Sequence, residues 1–308
     1  MVIVFVKFAV TGAAGFIGSH ISKFLIDNDH EVVAIDNLER GSLENLSEIQ
    51  NQISFQQTDI LDYQNLEKAL KNVDGVFHEA ALGSVPQSFK DPEKYFQVNA
   101  IGTENIFKIA QKNNIKVVYA SSSSVYGNQK TFPIKESAPK NPLNPYGKSK
   151  LQAEEFAQKY SKSGVKIIGL RYFNVFGIGQ NPNYSGVIPK FIEQLINKKS
   201  PIIEGDGNQV RNFTFINDIV EANYLAFKSD VDFAFLNIAA GKTVSINELS
   251  KIMINLSGLD LEPEYVSKRE GDIKISQADI SEAKKLLNWF PKVSLEEGLK
   301  KIFPSMNN

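Results

Sequence analysis

Tyr146 and Lys150 stand four residues apart in Tyr-Gly-Lys-Ser-Lys, and on a helix that spacing puts them on one face. A free phenol has a pKa near ~10. An ammonium brought close, or the positive charge of an oxidised nicotinamide ring, favours the phenolate and makes a base usable near neutral pH. Tyr and Lys at this spacing also occur on ordinary amphipathic helices. Their surroundings decide between the two readings. Upstream, residues 121–124 form an unbroken serine run after an apolar segment. A hydroxyl there can hydrogen-bond a substrate alcohol whose proton Tyr146 removes; a polar strand-to-loop cap is the plainer alternative.

The second chemistry-bearing stretch comes first in the chain. An apolar run over residues 7–10 breaks at Thr11-Gly12, and glycines follow at Gly12, Gly15 and Gly18. Residues 16–28 then alternate as an amphipathic helix, and a second apolar run, residues 32–35, ends on Asp36. Strand, glycine turn, helix, strand and acid is the order of a dinucleotide-binding unit. Gly12 allows the tight turn, Gly15 lets the backbone approach a pyrophosphate, and Gly18 lets the helix close on the strand. The pyrophosphate is expected on the unsatisfied N–H groups of the helix N-terminus. Asp36 would accept hydrogen bonds from the adenosine ribose and repel a 2′-phosphate, which selects NAD over NADP. Arg40 weakens that preference slightly.

These groups need a scaffold. Apolar runs predict further strands at 53–58, 74–81, 116–120 and 166–170, with helices over 63–71, 92–113 and 145–163 between them. Residues 42–50 read as a short helix or loop, and 92–113 as one long helix, with Phe96, Ile101, Ile106 and Ile109 at helical spacing. Strands alternating with helices in this way imply a parallel sheet covered on both faces. Beyond Arg171 the texture changes. Short helices are expected at 187–197, 218–228, 245–257, 279–288 and 295–302, strands at 213–216 and 235–238, and an irregular glycine-rich stretch at 201–212. The expected fold is therefore α/β, a Rossmann-type doubly wound parallel sheet with a smaller C-terminal substrate-binding lobe. Residues 1–173 plus 213–240 would form the cofactor domain, and 174–212 plus 241–308 the lobe over the carboxyl edge of the sheet.

Composition narrows the function classes. A chain of 308 residues that is 42% hydrophobic and 22% charged suits a globular protein of one large or two moderate domains. A net charge of −1 provides no field that would draw it to nucleic acid or a membrane surface. The absence of cysteine removes disulfides, thiolate metal sites and cysteine nucleophiles. His20, His30 and His78 are scattered without metal-ligand spacing, so no metal site is expected. No apolar run approaches the roughly 20 residues of a membrane helix, and the start, Met-Val-Ile-Val-Phe-Val-Lys, reads as an extension of the first strand. A cytoplasmic location is the expectation.

Taken together, the chain resembles the extended short-chain dehydrogenase/reductase family, and within it the nucleotide-sugar 4-epimerases. The matching segments are Thr11-Gly-Ala-Ala-Gly-Phe-Ile-Gly18, Asp36-Asn-Leu38, Asp59-Ile60, His78-Glu-Ala-Ala81, Ser121-Ser-Ser-Ser-Val-Tyr-Gly127, Tyr146-Gly-Lys-Ser-Lys150, Arg171-Tyr-Phe-Asn174, Gly205-Asp-Gly207 and Arg269-Glu-Gly-Asp272. They run in order through nearly the whole chain. The resemblance implies that Tyr146 is the base, that Ser122 assists it with Ser123 as a helper, and that Lys150 binds the nicotinamide ribose. It implies NAD contacts from Phe16, Ile17, Asn37, Asp59, Ile60, Ala80, Ala81 and Asn99 besides the glycines and Asp36. Asn174, Arg211 and Arg269 would hold the sugar-nucleotide diphosphate, with Val187, Ile188 and Asp206 near the uridine and Ser84 and Asp272 also on the substrate side. Surface salt bridges are the plainer reading of the two arginines, although paired arginines in a glycine-rich lobe suit bidentate phosphate binding. Tyr126 is expected to pack rather than react. The partner implied is a UDP-sugar, and the assembly implied is a homodimer through helices 92–113 and 145–163.

Family members that dehydrate or decarboxylate carry acids where this chain has Ser123 and Ser124, which leaves a retained 4-epimerase. Ala80-Ala-Leu-Gly-Ser-Val-Pro-Gln-Ser88 resembles N-acetylhexosamine epimerases, and Ser276 falls at the family's gatekeeper position, where a small residue leaves room for an N-acetyl group. UDP-N-acetylglucosamine is the first expectation, with UDP-glucose beside it. UDP-glucuronate 4-epimerisation and a non-catalytic NAD or nucleotide-sugar sensor are the alternatives. One departure stands out: Asn212 occupies a position where the family usually has aspartate, which would loosen the orientation of Arg211.

Overall fold

The computed structural model describes residues 6–181, 186–268 and 273–303. The first unit is β1 (Lys7–Thr11), α1 (Phe16–Asp27) and β2 (Glu31–Asp36). The chain continues through β3 (Ile53–Gln57), α2 (Tyr63–Ala69), β4 (Gly75–His78), α3 (Val85–Lys90), α4 (Pro92–Phe96), α5 (Thr103–Asn113), β5 (Lys116–Ser122), α6 (Pro145–Ser161) and β6 (Ile167–Tyr172). Then come β7 (Asn174–Phe176), α7 (Val187–Ile196), β8 (Ile202–Glu204), β9 (Val210–Phe215), α8 (Ile216–Lys228) and β10 (Phe233–Ile238). The last elements are β11 (Thr243–Ser245), α9 (Ile246–Ser257), β12 (Glu264–Val266), β13 (Ile275–Ser276), α10 (Ser281–Leu287) and α11 (Leu295–Ile302).

The central strands are near-continuous apolar runs buried on both faces, as a parallel sheet requires, and the edge strand β3 (Ile-Ser-Phe-Gln-Gln) is the most exposed of the set. Seven strands pair in the order β10-β6-β5-β4-β1-β2-β3, all parallel. One face buries Phe8, Val10, Phe77, Val118 and Leu170 under Ile21 and Leu25 of α1 and Ile219 and Val220 of α8. The other buries Ala9, Val33, Val76, Val117 and Ile167 under Ile106 and Phe107 of α5 and Ala153 and Ala157 of α6. Strand order reverses between β1 and β4, and at such a switch point the carboxyl edge opens into a crevice. Among the described residues no helix is long and apolar enough to cross a membrane.

Three features differ from the sequence expectation. The long helix over 92–113 is interrupted: Gln97–Gly102 winds as a π-helix between α4 and α5, a widening that apolar spacing does not report. Strand β5 runs on through Ser122, so two of the four serines belong to the sheet and not to the loop. The stretch 201–212 is not irregular; it holds β8 and the start of β9. Strand β9 is the hub of a smaller sheet, pairing with β7, β11 and β13, while β8 pairs with β12.

Candidate active site

A cleft of about 1260 Å³ runs along the carboxyl edge from the glycine turn to the smaller sheet. At its floor Gly12 adopts φ +69°, and a Cβ there would lie 2.6 Å from the Ala80 nitrogen. A Cβ on Gly18 would overlap the Gly12 carbonyl, so α1 can start this close to β1 only without side chains. At the end of β2 the Asp36 carboxylate accepts from Ala14 N at 3.0 Å and Leu38 N at 2.8 Å, which fixes it and leaves lone pairs for a ribose. Burial raises its pKa against those two backbone hydrogen bonds. Asn37 donates to Asp59 at 2.8 Å, tying the ends of β2 and β3 into one wall. Phe16, Ile17, Gly15, Ile60, Ala80 and Ala81 line the same cleft. This cradle fits a dinucleotide such as NAD. Asn99 does not line it. From the π-helical turn it clamps the Leu82 backbone on both sides, at 2.8 and 3.0 Å, and so holds the wall in which Ala80 and Ala81 stand.

The reacting groups gather where β5 ends. Ser122, Ser123, Tyr146 and Lys150 all line the cleft. Helix α6 starts cleanly because Asn144 caps it on Gly147 N at 2.8 Å and Pro145 follows at the first position. Tyr146 therefore sits in the first turn and Lys150 one turn on. The sequence expectation of a lysine beside the phenol is corrected by geometry. Lys150 Nζ, buried, donates to the Ala120 carbonyl at 2.8 Å, and the phenol's partner is instead the Ser122 hydroxyl. Burial raises Tyr146, the Ser122 hydroxyl lowers it, and Tyr95 opposes that. Burial also brings Lys150 down to about 8, with Glu79 pulling the other way. Tyr95 stacks edge-on to Tyr146 with ring centres 6.5 Å apart and donates to the Ser84 carbonyl at 2.7 Å.

Buried polar networks hold these groups from behind. Arg171 on β6 meets Glu154 on α6 through two hydrogen bonds of 2.7 and 2.8 Å, with both side chains 1% exposed. Ser121 donates to the same carboxylate at 2.7 Å, so its hydroxyl is committed to this pair while that of its neighbour Ser122 is not. Tyr126 is fully buried, accepts from Arg171 and donates to Asn237 at 2.6 Å; it packs, as expected. His78 bridges Thr11 at 2.6 Å and Thr103 at 2.8 Å. Because the Thr103 hydroxyl donates to the Asn99 carbonyl, it must accept from His78 Nε2, which leaves Nδ1 to accept from Thr11. Burial and the Lys150 charge keep this imidazole neutral, with a pKa lowered to about 3.

At the far end of the cleft stand Ser84, Asn174, Val187, Ile188, Arg211 and Ser276. Asp206 is not among them: it is exposed in a turn, where it accepts from Asn208 N at 3.0 Å. Arg269 and Asp272 lie outside the described residues. Asn212 does not loosen Arg211. It points the other way and is 1% exposed, donating to the Ala240 and Lys242 carbonyls and accepting from Ala278 N. An aspartate could not donate to those two carbonyls. Glu79 was missed by the motif reading, although an acid ending an apolar strand was the available signal. It lines the cleft, and its carboxylate accepts from the Tyr172 hydroxyl at 2.9 Å.

Residues 8–239 match the family model described as the NAD dependent epimerase/dehydratase family. The chain is 40% identical over 306 residues to a putative UDP-glucose 4-epimerase of Methanocaldococcus jannaschii, covering 97% of this chain and 98% of that protein. Among solved structures it resembles the UDP-N-acetylglucosamine 4-epimerase of Methanobrevibacter ruminantium in complex with UDP-N-acetylmuramic acid. That likeness has a TM-score of 0.93 at 41% identity, over 97% of each chain. It also resembles the UDP-glucuronic acid 4-epimerase of Bacillus cereus in complex with UDP-glucuronic acid and NAD, with a TM-score of 0.90 at 32% identity over 96% and 98% of the two chains.

Proposed function

The chain belongs to the NAD dependent epimerase/dehydratase family, and from that premise we propose that it inverts C4 of UDP-N-acetylglucosamine, with UDP-glucose as a second substrate. It is an NAD-dependent epimerase of the UDP-sugar 4-epimerase group. The observation that carries the finer reading is Ser276, a small residue in the cleft wall paired in register with Arg211. With Arg211 and Asn174 engaging the diphosphate, Ser276 leaves volume for a substituent on the sugar. A small residue admits both sugars, since volume excludes a large group more readily than a small one.

NAD, when bound, supplies a reversible hydride acceptor. The protein's own part is proton handling and orientation. Tyr146, with Ser122 on its phenol oxygen, takes the proton from the sugar 4-hydroxyl. The Ser122 hydroxyl favours the phenolate against the burial that raises Tyr146, and the positive charge of a bound oxidised ring would act in the same direction. The resulting 4-keto sugar turns over about its diphosphate tether, and Tyr146 returns the proton when C4 is reduced on its other face. Net redox is zero, so the cofactor need not exchange. Asn99, Glu154 and Arg171 act through others, holding the Ala80–Ala81 wall and the end of β5. A homodimer through α5 and α6 belongs to the same reading, and sedimentation velocity at micromolar concentration would refute it by giving a monomer.

Proton NMR of the anomeric region tests the substrate. Purified protein is incubated separately with UDP-N-acetylglucosamine, UDP-glucose and UDP-glucuronate, with NAD present. A galacto-configured signal growing fastest from UDP-N-acetylglucosamine supports the proposal. Faster turnover of UDP-glucuronate would replace it, and no change with any of the three would sink it.

A further inference from the structure

Glu79 ends β4 on the α8 side of the sheet and reaches across the top of β5 to the Tyr172 hydroxyl on β6, at 2.9 Å. That hydroxyl in turn accepts from Asn223 Nδ2 on α8 at 2.7 Å. Lys150 comes to the same strand end from α6 on the opposite face, its ammonium on the Ala120 carbonyl. The second carboxyl oxygen of Glu79 is buried and has no hydrogen-bond partner among the described residues. The carboxyl thus ties the end of β4 to β6 through one oxygen and keeps the other, in the cleft wall, without a partner.

We propose that Glu79 is a positioning residue for hydride transfer. Its carboxyl changes charge with the bound nicotinamide and so sets how readily that ring is reduced. In the cleft that Glu79 lines, a bound oxidised ring would bring a positive charge and, with Lys150, favour the carboxylate. A reduced ring is neutral, and the carboxyl then regains a proton from solvent. The groups facing Glu79 are few. Lys150 on α6 is the cation. Tyr172 on β6 is held neutral, its pKa well above the ordinary value, by burial first and by Glu79 itself second. Asn223 on α8 and Thr11 on β1 do not titrate, and the neighbouring His78 stays neutral above about pH 3. Burial outweighs the pull of Tyr172 and Lys150 and leaves Glu79 at about 8, so a nearby change in charge moves it through the neutral range.

The balance is testable without any sugar. Reducing the ring takes two electrons and one proton, so at a fixed potential the ratio of reduced to oxidised cofactor changes about tenfold per pH unit. Where Glu79 takes up a second proton, the change steepens toward about a hundredfold per unit. Holoenzyme poised with mediator dyes from pH 5.5 to 9, and read by near-ultraviolet absorbance, gives the slope. The wild type is expected to show a steep window flanked by shallow limbs. Because Tyr146 and Lys150 would also gain protons as the ring loses its charge, the two proteins are compared in a Tyr146→Phe background and below about pH 7, where Lys150 stays protonated; there Glu79→Gln is expected to lose the steepening and keep the shallow slope. A uniform tenfold slope in the wild type overturns the proposal even if the variant does not fold. A steep window that survives Glu79→Gln also overturns it, since another group then carries the proton. The inference rests on reading Tyr146 and Lys150 as the reacting end of the cleft. A wrong sugar assignment leaves this experiment untouched, because no sugar enters it.

Discussion

Removing Glu154 exposes how much the reaction centre depends on groups that never touch substrate. Its carboxylate receives three hydrogen bonds of 2.7 to 2.8 Å, two from Arg171 and one from Ser121, with solvent excluded from both charged side chains. Glu154→Leu strips the guanidinium of its counter-charge while leaving it buried. Breaking such a pair costs about 3–5 kcal/mol, because the remaining charge cannot be hydrated. Arg171 keeps the Tyr126 hydroxyl, the Glu136 carbonyl and the faces of the Tyr126 and Phe235 rings, all uncharged. In a chain of this length that loss lowers the melting temperature by roughly 5–8 °C. Glu154→Leu/Arg171→Met removes both charges, and the remaining debt is chiefly the Ser121 hydroxyl, so most of the stability should return, to within about 2 kcal/mol. Urea unfolding at pH 7 followed by circular dichroism measures all three proteins. Since Ser121 directly precedes Ser122, the single variant should also lose turnover. A single-variant loss under about 1 kcal/mol, or a double variant no more stable than the single, would refute the reasoning.

Tyr146→Phe should lower turnover by about 10²–10⁴-fold with bound NAD unchanged; full-rate epimerisation in the NMR assay would discard Tyr146 as the base. Gly18→Val places a side chain against the Gly12 carbonyl and should yield protein with little NAD, so near-stoichiometric cofactor after purification would count against the cradle. His78 is lowered from 6.5 to about 3, first by burial and then by Lys150. The unfolded chain therefore binds a proton below pH 6.5 that the folded chain refuses until about pH 3, so this contribution is complete above 6.5 and shrinks as pH falls. At pH 5 the loss is about 2 kcal/mol and should be missing in His78→Gln, read as the difference between urea midpoints at pH 7 and pH 5. Ser276→Tyr should slow UDP-N-acetylglucosamine far more than UDP-glucose, and equal slowing of both would remove the selectivity role.

Local chemistry was legible where one residue type has one structural use. Gly12 and Gly18 announced their turn, and Asp36 the end of its strand. Ser122, Tyr146 and Lys150 were singled out correctly as neighbours in one cleft because they fall on two adjoining elements. What stayed hidden depended on partners far along the chain. Glu79 meets Tyr172 from 93 residues away, and Asn212 meets Ala278 from 66. Nothing in the composition of 201–212 revealed that β9 would find three strands to pair with. The π-helical turn was invisible for a different reason: widening a helix by one residue leaves its apolar spacing nearly unchanged.

Strand β9 holds position 276 by main-chain pairing alone, Ser276 opposite Arg211 and Ile275 opposite Val210, just as it holds Asn174 opposite Phe213. The address of that residue is thus written in the backbone, while its side chain is left out of the fold's support. Asn212, one step along and buried, carries the opposite duty and tolerates little change. The small sheet therefore separates a heritable part from a variable part. On the proposed role of Ser276, a change of sugar preference at that position is expected to leave the stability of the fold nearly unchanged.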